Sequence, residues 1–181
     1  MPGQKQPLRL RRKHDPTAAA EITAEDGARL LQAQSFRSAV ISSLISVIAF
    51  SVIWVLVTRL TGRVFPWMTI LLGLLVGYAV RQTGRGVDWR FPALAAVLTF
   101  AGAFVSKAVV AASNTAETLG TTSLEVLRSV TLMTWPVDFR ELITAAYYVF
   151  AVTAAVVAAF YANRRLSRAQ YRALRLFRER E

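Results

Sequence analysis

The stretch AVISSLISVIAFSVIWVLVTRL, Ala39–Leu60, runs for twenty residues before its one charge, Arg59. A helix of about 20 apolar residues rises about 30 Å, the thickness of the hydrocarbon core of a bilayer. The stretch therefore reads as a transmembrane helix, and the fold depends on how many such helices follow. Ser42 and Ser46 stand four residues apart, the small-residue spacing that lets helix backbones approach. The hydroxyls of Ser42, Ser43, Ser46 and Ser51 are expected to bond to helix carbonyls or to neighbouring helices.

Working outward, Thr61-Gly62-Arg63 breaks the helix, and Pro66 stands where it can begin the next one. PWMTILLGLLVGYAV, residues 66–80, makes a short second span and carries Gly73 and Gly77, a GxxxG pair. A third span covers 91–112, with one charged residue inside it, Lys107. Residues 113–140 form the longest gap. Within it, TSLEVLRSVTLMTW brings Val126, Leu127, Val130 and Met133 together on a helical surface, which predicts a short helix at the interface or across the bundle. The fourth span, 142–163, is rich in alanine, and Ala151, Ala155, Ala158 and Ala162 make a smooth stripe for close packing. The expected fold is all-α: a polytopic membrane protein of four transmembrane helices.

The flanks differ in kind. Residues 1–21 carry prolines, five basic residues and no apolar period, which predicts a disordered basic tail. Thr23, followed by Glu25 and Asp26, starts a helix with a hydroxyl cap and acids in its first turn. That cytoplasmic helix, 22–38, is expected to run on through LLQAQSFRSAV into span one, with Gly27 weakening it slightly. Residues 164–181 predict a basic amphipathic helix that carries span four onward into water.

The chain has 181 residues, a net charge of +11 and an apolar fraction of 54%. High charge and high apolarity coexist because they are segregated along the chain. Seven basic residues lie in 1–38, three in 81–91 and seven in 164–181, seventeen on one side of a four-span threading. The other side holds Arg59, Arg63, Arg128 and Arg140. Lysine and arginine bias marks the cytoplasmic face. Both termini are thus expected in the cytoplasm, with the chain multi-pass in the membrane. The first apolar run begins only near Ala39, so no secretory leader is expected. The absence of cysteine rules out disulfides, zinc ribbons and thiol chemistry.

The run VGYAVRQTGRGVDWRF, Val76–Phe91, then becomes the cytoplasmic turn between spans two and three. Gly84 and Gly86 are expected to supply backbone freedom, while Arg81, Arg85 and Arg90 hold the turn on the inner side. These arginines are also candidates for contact with a lipid phosphate or a partner. GRG lacks the lysine-serine/threonine ending of a nucleotide loop, and no strand precedes it.

This turn, followed by an apolar helix and then by WPVD before an alanine-rich span, resembles a group of small bacterial four-helix inner-membrane proteins of uncharacterised activity. The shared pattern is VG-x-AVR…GxG, with Pro-x-Asp before the last helix. The matching residues here are Gly77, Arg81, Gly84, Gly86, Pro136 and Asp138, and the likeness covers roughly residues 39–163. It implies an architecture and no reaction. Some members of the group carry a cysteine-rich zinc module on the N-terminal side; this chain has none.

Few residues point to chemistry. Lys107 is either a cation snorkelling to the surface or one half of an intramembrane pair with Asp138 or Glu141, since an ionisable group at mid-membrane costs about 2.5–3.5 kcal/mol. Asp138 also stands where its carboxylate would cap the last span. In the tail, Arg165, Arg168, Arg172 and Arg175 share one helical side, opposite Leu166, Ala173, Leu174 and Phe177. Such a face suits anionic lipid headgroups or a protein partner. Nucleic acid is not expected, because only Tyr171 and Phe177 stand ready to stack. No His/Asp/Glu cluster has metal-ligand spacing, and no serine has a histidine base. Neither catalysis, nor a cofactor, nor a metal is expected. The leading expectation is a non-catalytic inner-membrane subunit that assembles with itself or with a larger complex, packing through Gly73, Gly77 and the alanine stripe. The alternative is a small anion channel or transporter component that uses Lys107.

Overall fold

The computed structural model describes residues 24–129, 144–163 and 166–179. Thr23, Pro136, Asp138, Glu141 and Arg165, together with the N-terminal tail, lie outside the described residues. Among the described residues there are seven α-helices and no strand: α1 (Ala24–Gln32), α2 (Phe36–Thr61), α3 (Met68–Gly84), α4 (Arg90–Leu119), α5 (Ser123–Ser129), α6 (Ala145–Ala162) and α7 (Arg168–Arg178). Three of them, α2, α4 and α6, are long and apolar enough to cross a membrane. At 17 residues, α3 rises only about 25 Å.

The chain divides into two units. The larger, residues 31–165, is built on α2, α3, α4 and α6, which run in alternating directions. Their register shows this. Val47 meets Gly102, and Ser51 meets Ser106, so α2 and α4 are parallel. Gly73 meets Ala154 and Gly77 meets Ala158, so α3 and α6 are parallel as well. Ser42 at the start of α2 bonds to Thr83 at the end of α3, so these two are antiparallel. The core is a column of Phe50, Trp54, Leu72, Val76, Val80, Val110, Tyr147 and small residues. Apolar side chains also face outward all along α2 and α6, among them Ile48 and Val149, each 65% exposed. An outer surface of this kind suits lipid and not water.

Local chemistry sets the helix ends, in places against expectation. The continuous helix predicted from Thr23 into span one is broken at residues 33–35. Ser35 takes the extended conformation of an N-cap and accepts from the Ser38 N–H, while its own N–H donates to Gly84 O at 3.0 Å. A cap that also ties down the end of α3 outweighs simple continuation. Gly62 ends α2 in the left-handed conformation, φ 66°, with its N–H on Thr58 O. Span three, expected to stop near 112, continues as helix to Leu119 because SNTAETL holds no breaker before Gly120. Nor does the tail extend span four. α6 stops at Ala162, and α7 begins anew from a capping box in which Ser167 and Gln170 satisfy each other's backbone N–H.

The smaller unit pairs the two chain ends. α1 and α7 meet at Gly27, where a β-carbon would lie 2.9 Å from Phe177 Cβ and against the Ala173 carbonyl. Gly27, expected only to weaken its helix, is what allows this approach. Ala173 and Leu174 are buried here, so part of the apolar face of the tail helix is already covered.

Candidate functional site

Four places in the bundle gather the residues that the sequence marks out. The first is the seam between α3 and α6. A β-carbon on Gly73 would stand 2.9 Å from the carbonyl carbon of Ala154, and one on Gly77 would stand 2.7 Å from Ala158 O. The GxxxG face is therefore occupied within a single chain. Ala151, Ala154, Ala158 and Ala162 are the buried alanines of α6, whereas Ala155, expected in the stripe, is only half-buried.

The second place is the turn at 84–91. Neither Gly84 nor Gly86 has positive φ; the left-handed residue is Arg85, with φ 47°. The glycines serve instead to admit Phe91. A β-carbon at Gly84 would stand 2.8 Å from its ring, and one at Gly86 would strike the ring directly. Phe91 packs edge-on to Phe36 at 5.9 Å. The expectation of conformational freedom at both glycines is thus corrected to one of space. Arg85 and Arg90 are exposed, and Arg81 is half-buried.

The third is Lys107. Its Nζ lies 4.1 Å from the centre of the Tyr147 ring, and the Tyr147 hydroxyl donates to Ala103 O at 2.6 Å. A cation over an aromatic face is worth about 0.5–2 kcal/mol, depending on desolvation. Lys107 is half-buried and, among the described residues, forms no ion pair. Tyr147 went unremarked in the sequence because it opens an alanine-rich run. The available signal was its place at the start of α6, which an antiparallel neighbour brings beside the middle of α4. In α7, Arg168, Arg172 and Arg175 are all exposed.

The fourth is the contact between α2 and α4, where the hydroxyls gather. Ser43, Ser46 and Ser51 each donate to the carbonyl four residues back, and Ser42 donates to Ala39 O. Ser51 also bonds to Ser106 at 2.8 Å across the helices. Among the described residues, four buried side-chain groups lack a hydrogen-bond partner: Trp54 Nε1 and the hydroxyls of Thr58, Thr99 and Ser113. Among the described residues, no three His, Cys, Asp or Glu side chains lie together as a metal site would require.

No family model, no curated protein and no solved structure matches the chain.

Proposed function

We propose that the chain is a non-catalytic subunit of a bacterial inner membrane, crossing it four times with both ends in the cytoplasm and assembling with itself or with a larger membrane complex. The observation that carries this reading is the meeting of the chain ends. Gly27 packs on Ala173, and two segments can meet outside a membrane only if an even number of crossings separates them. Three crossings, through α2, α4 and α6 alone, would leave the ends on opposite faces. α3 supplies the fourth, and its length of about 25 Å is extended by the turn at Pro66-Trp67, where Met68 and Thr69 donate to Phe65 and Pro66 carbonyls. Trp67 and Trp89 stand exposed at opposite ends of the bundle, as interfacial aromatics do. The distribution of basic residues supports a cytoplasmic position for the ends, and the VG-x-AVR…GxG resemblance supports a bacterial source.

Assembly then falls to surfaces other than the glycine seam, which is filled from within. The paired ends offer one: exposed Arg168, Arg172 and Arg175 on α7, with Arg29 on α1, a basic surface for anionic headgroups or an acidic partner. The channel reading rests on Lys107, and the Tyr147 ring over its ammonium supports a structural role for it instead. One preparation tests both readings. Protein purified in mild detergent should run as a complex larger than the monomer, with itself or with a co-purifying membrane protein. In liposomes it should pass no anions, and Lys107→Leu should behave alike. A strict monomer would refute the subunit reading, and anion flux that vanishes with Lys107→Leu would establish the channel.

A further inference from the structure

Between the end of α2 and the last turns of α4 lies an open cleft of about 370 Å³, lined by Thr58, Arg59, Gly62, Val64, Asn114, Glu117 and Thr118. Its floor is Thr58, only 4% exposed, whose hydroxyl has no hydrogen-bond partner. A buried hydroxyl left unsatisfied is costly and rare in a finished interior. The rim carries Arg59 and Glu117, both exposed, which share the cleft without pairing to each other. Half-buried Asn114 adds an amide, and Thr118 a second hydroxyl. A guanidinium, a carboxylate and an unanswered hydroxyl around one space form a receptor for a ligand that bears both an anion and a cation carrying N–H. Arginine recognises a phosphate by paired hydrogen bonds, and a carboxylate answers a primary ammonium.

We propose that this cleft binds the ethanolamine phosphate headgroup of a membrane lipid. The phosphate would lie on Arg59 and accept from the Thr58 hydroxyl, while the ammonium would donate to Glu117. The site stands where a headgroup would be. Arg59 is the first charge after the apolar run of α2, and exposed Val52 and Ile48, seven and eleven residues before it, lie on the same side of that helix as a track for an acyl chain. A choline headgroup has no N–H for Glu117, and a glycerol headgroup has no cation. The proposal rests on the membrane-crossing reading, which has its own test in topology labelling; correct labelling without lipid selectivity would remove the headgroup site alone.

The experiment is native mass spectrometry of the full chain released from nanodiscs containing equal parts of phosphatidylethanolamine, phosphatidylglycerol and phosphatidylcholine. The wild type should retain the ethanolamine lipid about tenfold over the other two, the effect of one charge-assisted hydrogen bond. Arg59→Gln and Glu117→Gln, both at exposed positions, should fold normally; the first should lower retention of all three lipids, whose phosphate is common, and the second should remove the preference. Thr58→Val should weaken retention while leaving the melting temperature equal or raised, because it removes the unsatisfied hydroxyl. Soluble phosphoethanolamine in excess should displace the lipid only in part, since it lacks the chains. Complete displacement would reassign the cleft to a free zwitterion and overturn the lipid proposal. Equal retention of the three lipids by wild type, or a preference that survives Glu117→Gln, would overturn the site.

Discussion

Along α3 and α6 the bundle is held together by missing side chains; along α2 and α4 it is held by hydroxyls. At the first seam Gly73 and Gly77 bring backbone against Ala154 and Ala158, leaving no room for even a methyl group. At the second, Ser51 and Ser106 bond across the helices, and Val47 fills the space over Gly102. Further along that same pair the hydroxyl of Thr58 finds no partner, and the helices part into a cleft. The difference teaches where stability and recognition are separated. A lipid-facing bundle gains nothing from burying apolar groups against apolar lipid, so close backbone packing must carry its cohesion. The polar seam adds less cohesion, and beyond Ser51 and Ser106 it ends in the cleft beside Thr58.

Breaking the first seam should have the largest effect. Gly73→Leu with Gly77→Leu overpacks two sites, each costing about 1–3 kcal/mol or more, and should abolish cooperative melting in detergent. Because the β-carbon itself is what collides, Gly73→Ala alone should already lower the melting temperature. Wild-type melting in the double variant would place this face against lipid. Next comes the link between α4 and α6. Tyr147→Phe keeps the ring beneath Lys107 and removes only the bond to Ala103 O, a loss of about 1 kcal/mol, read as a modest drop in the same melt.

The second seam should yield less. Ser51→Ala removes one interhelical hydroxyl pair, and bonds of this kind average about 0.6 kcal/mol in membrane helices. A loss as large as that of the glycine variants would erase the contrast between the seams. The smallest effect is local and depends on pH. The Thr122 backbone N–H, with its hydroxyl, holds the Glu125 carboxyl below its usual range at the start of α5. Because the folded value is the lower one, the cap contributes fully above the unfolded value, near 4.3, and is lost as pH falls through the folded value. Protection of the Thr122 amide from exchange, relative to its intrinsic rate, should therefore be steady at neutral pH and should fall only in acid. Glu125→Gln should flatten that dependence.

The apolar blocks were legible because length and lack of charge suffice to mark them, and the GxxxG spacing pointed to a close-packing face. The rotation of α6 was not legible. Ala154, Ala155, Ala158 and Ala159 are all small, so a stripe through Ala155 and one through Ala154 look alike until a neighbour chooses. The turn at 84–91 misled for a related reason. Glycine serves both left-handed backbone and close approach, and here Phe91 claimed the space while Arg85 took the positive φ. The helix breaks at Ser35 and Ser167 follow from capping serines that the continuing helical pattern concealed. The cleft was hidden because Arg59 and Glu117 lie far apart in sequence and meet only through the parallel register of α2 and α4.

The even number of crossings is the claim on which the rest depends, and a chain without cysteine tests it cleanly. Single cysteines at exposed Gln82, Thr121 and Ala169 would be exposed to a membrane-impermeant maleimide on intact cells and then after permeabilisation. Thr121→Cys should label at once, whereas Gln82→Cys and Ala169→Cys should label only once the membrane is opened. Labelling of Ala169→Cys from outside, or protection of Thr121→Cys, would contradict the four-crossing bundle.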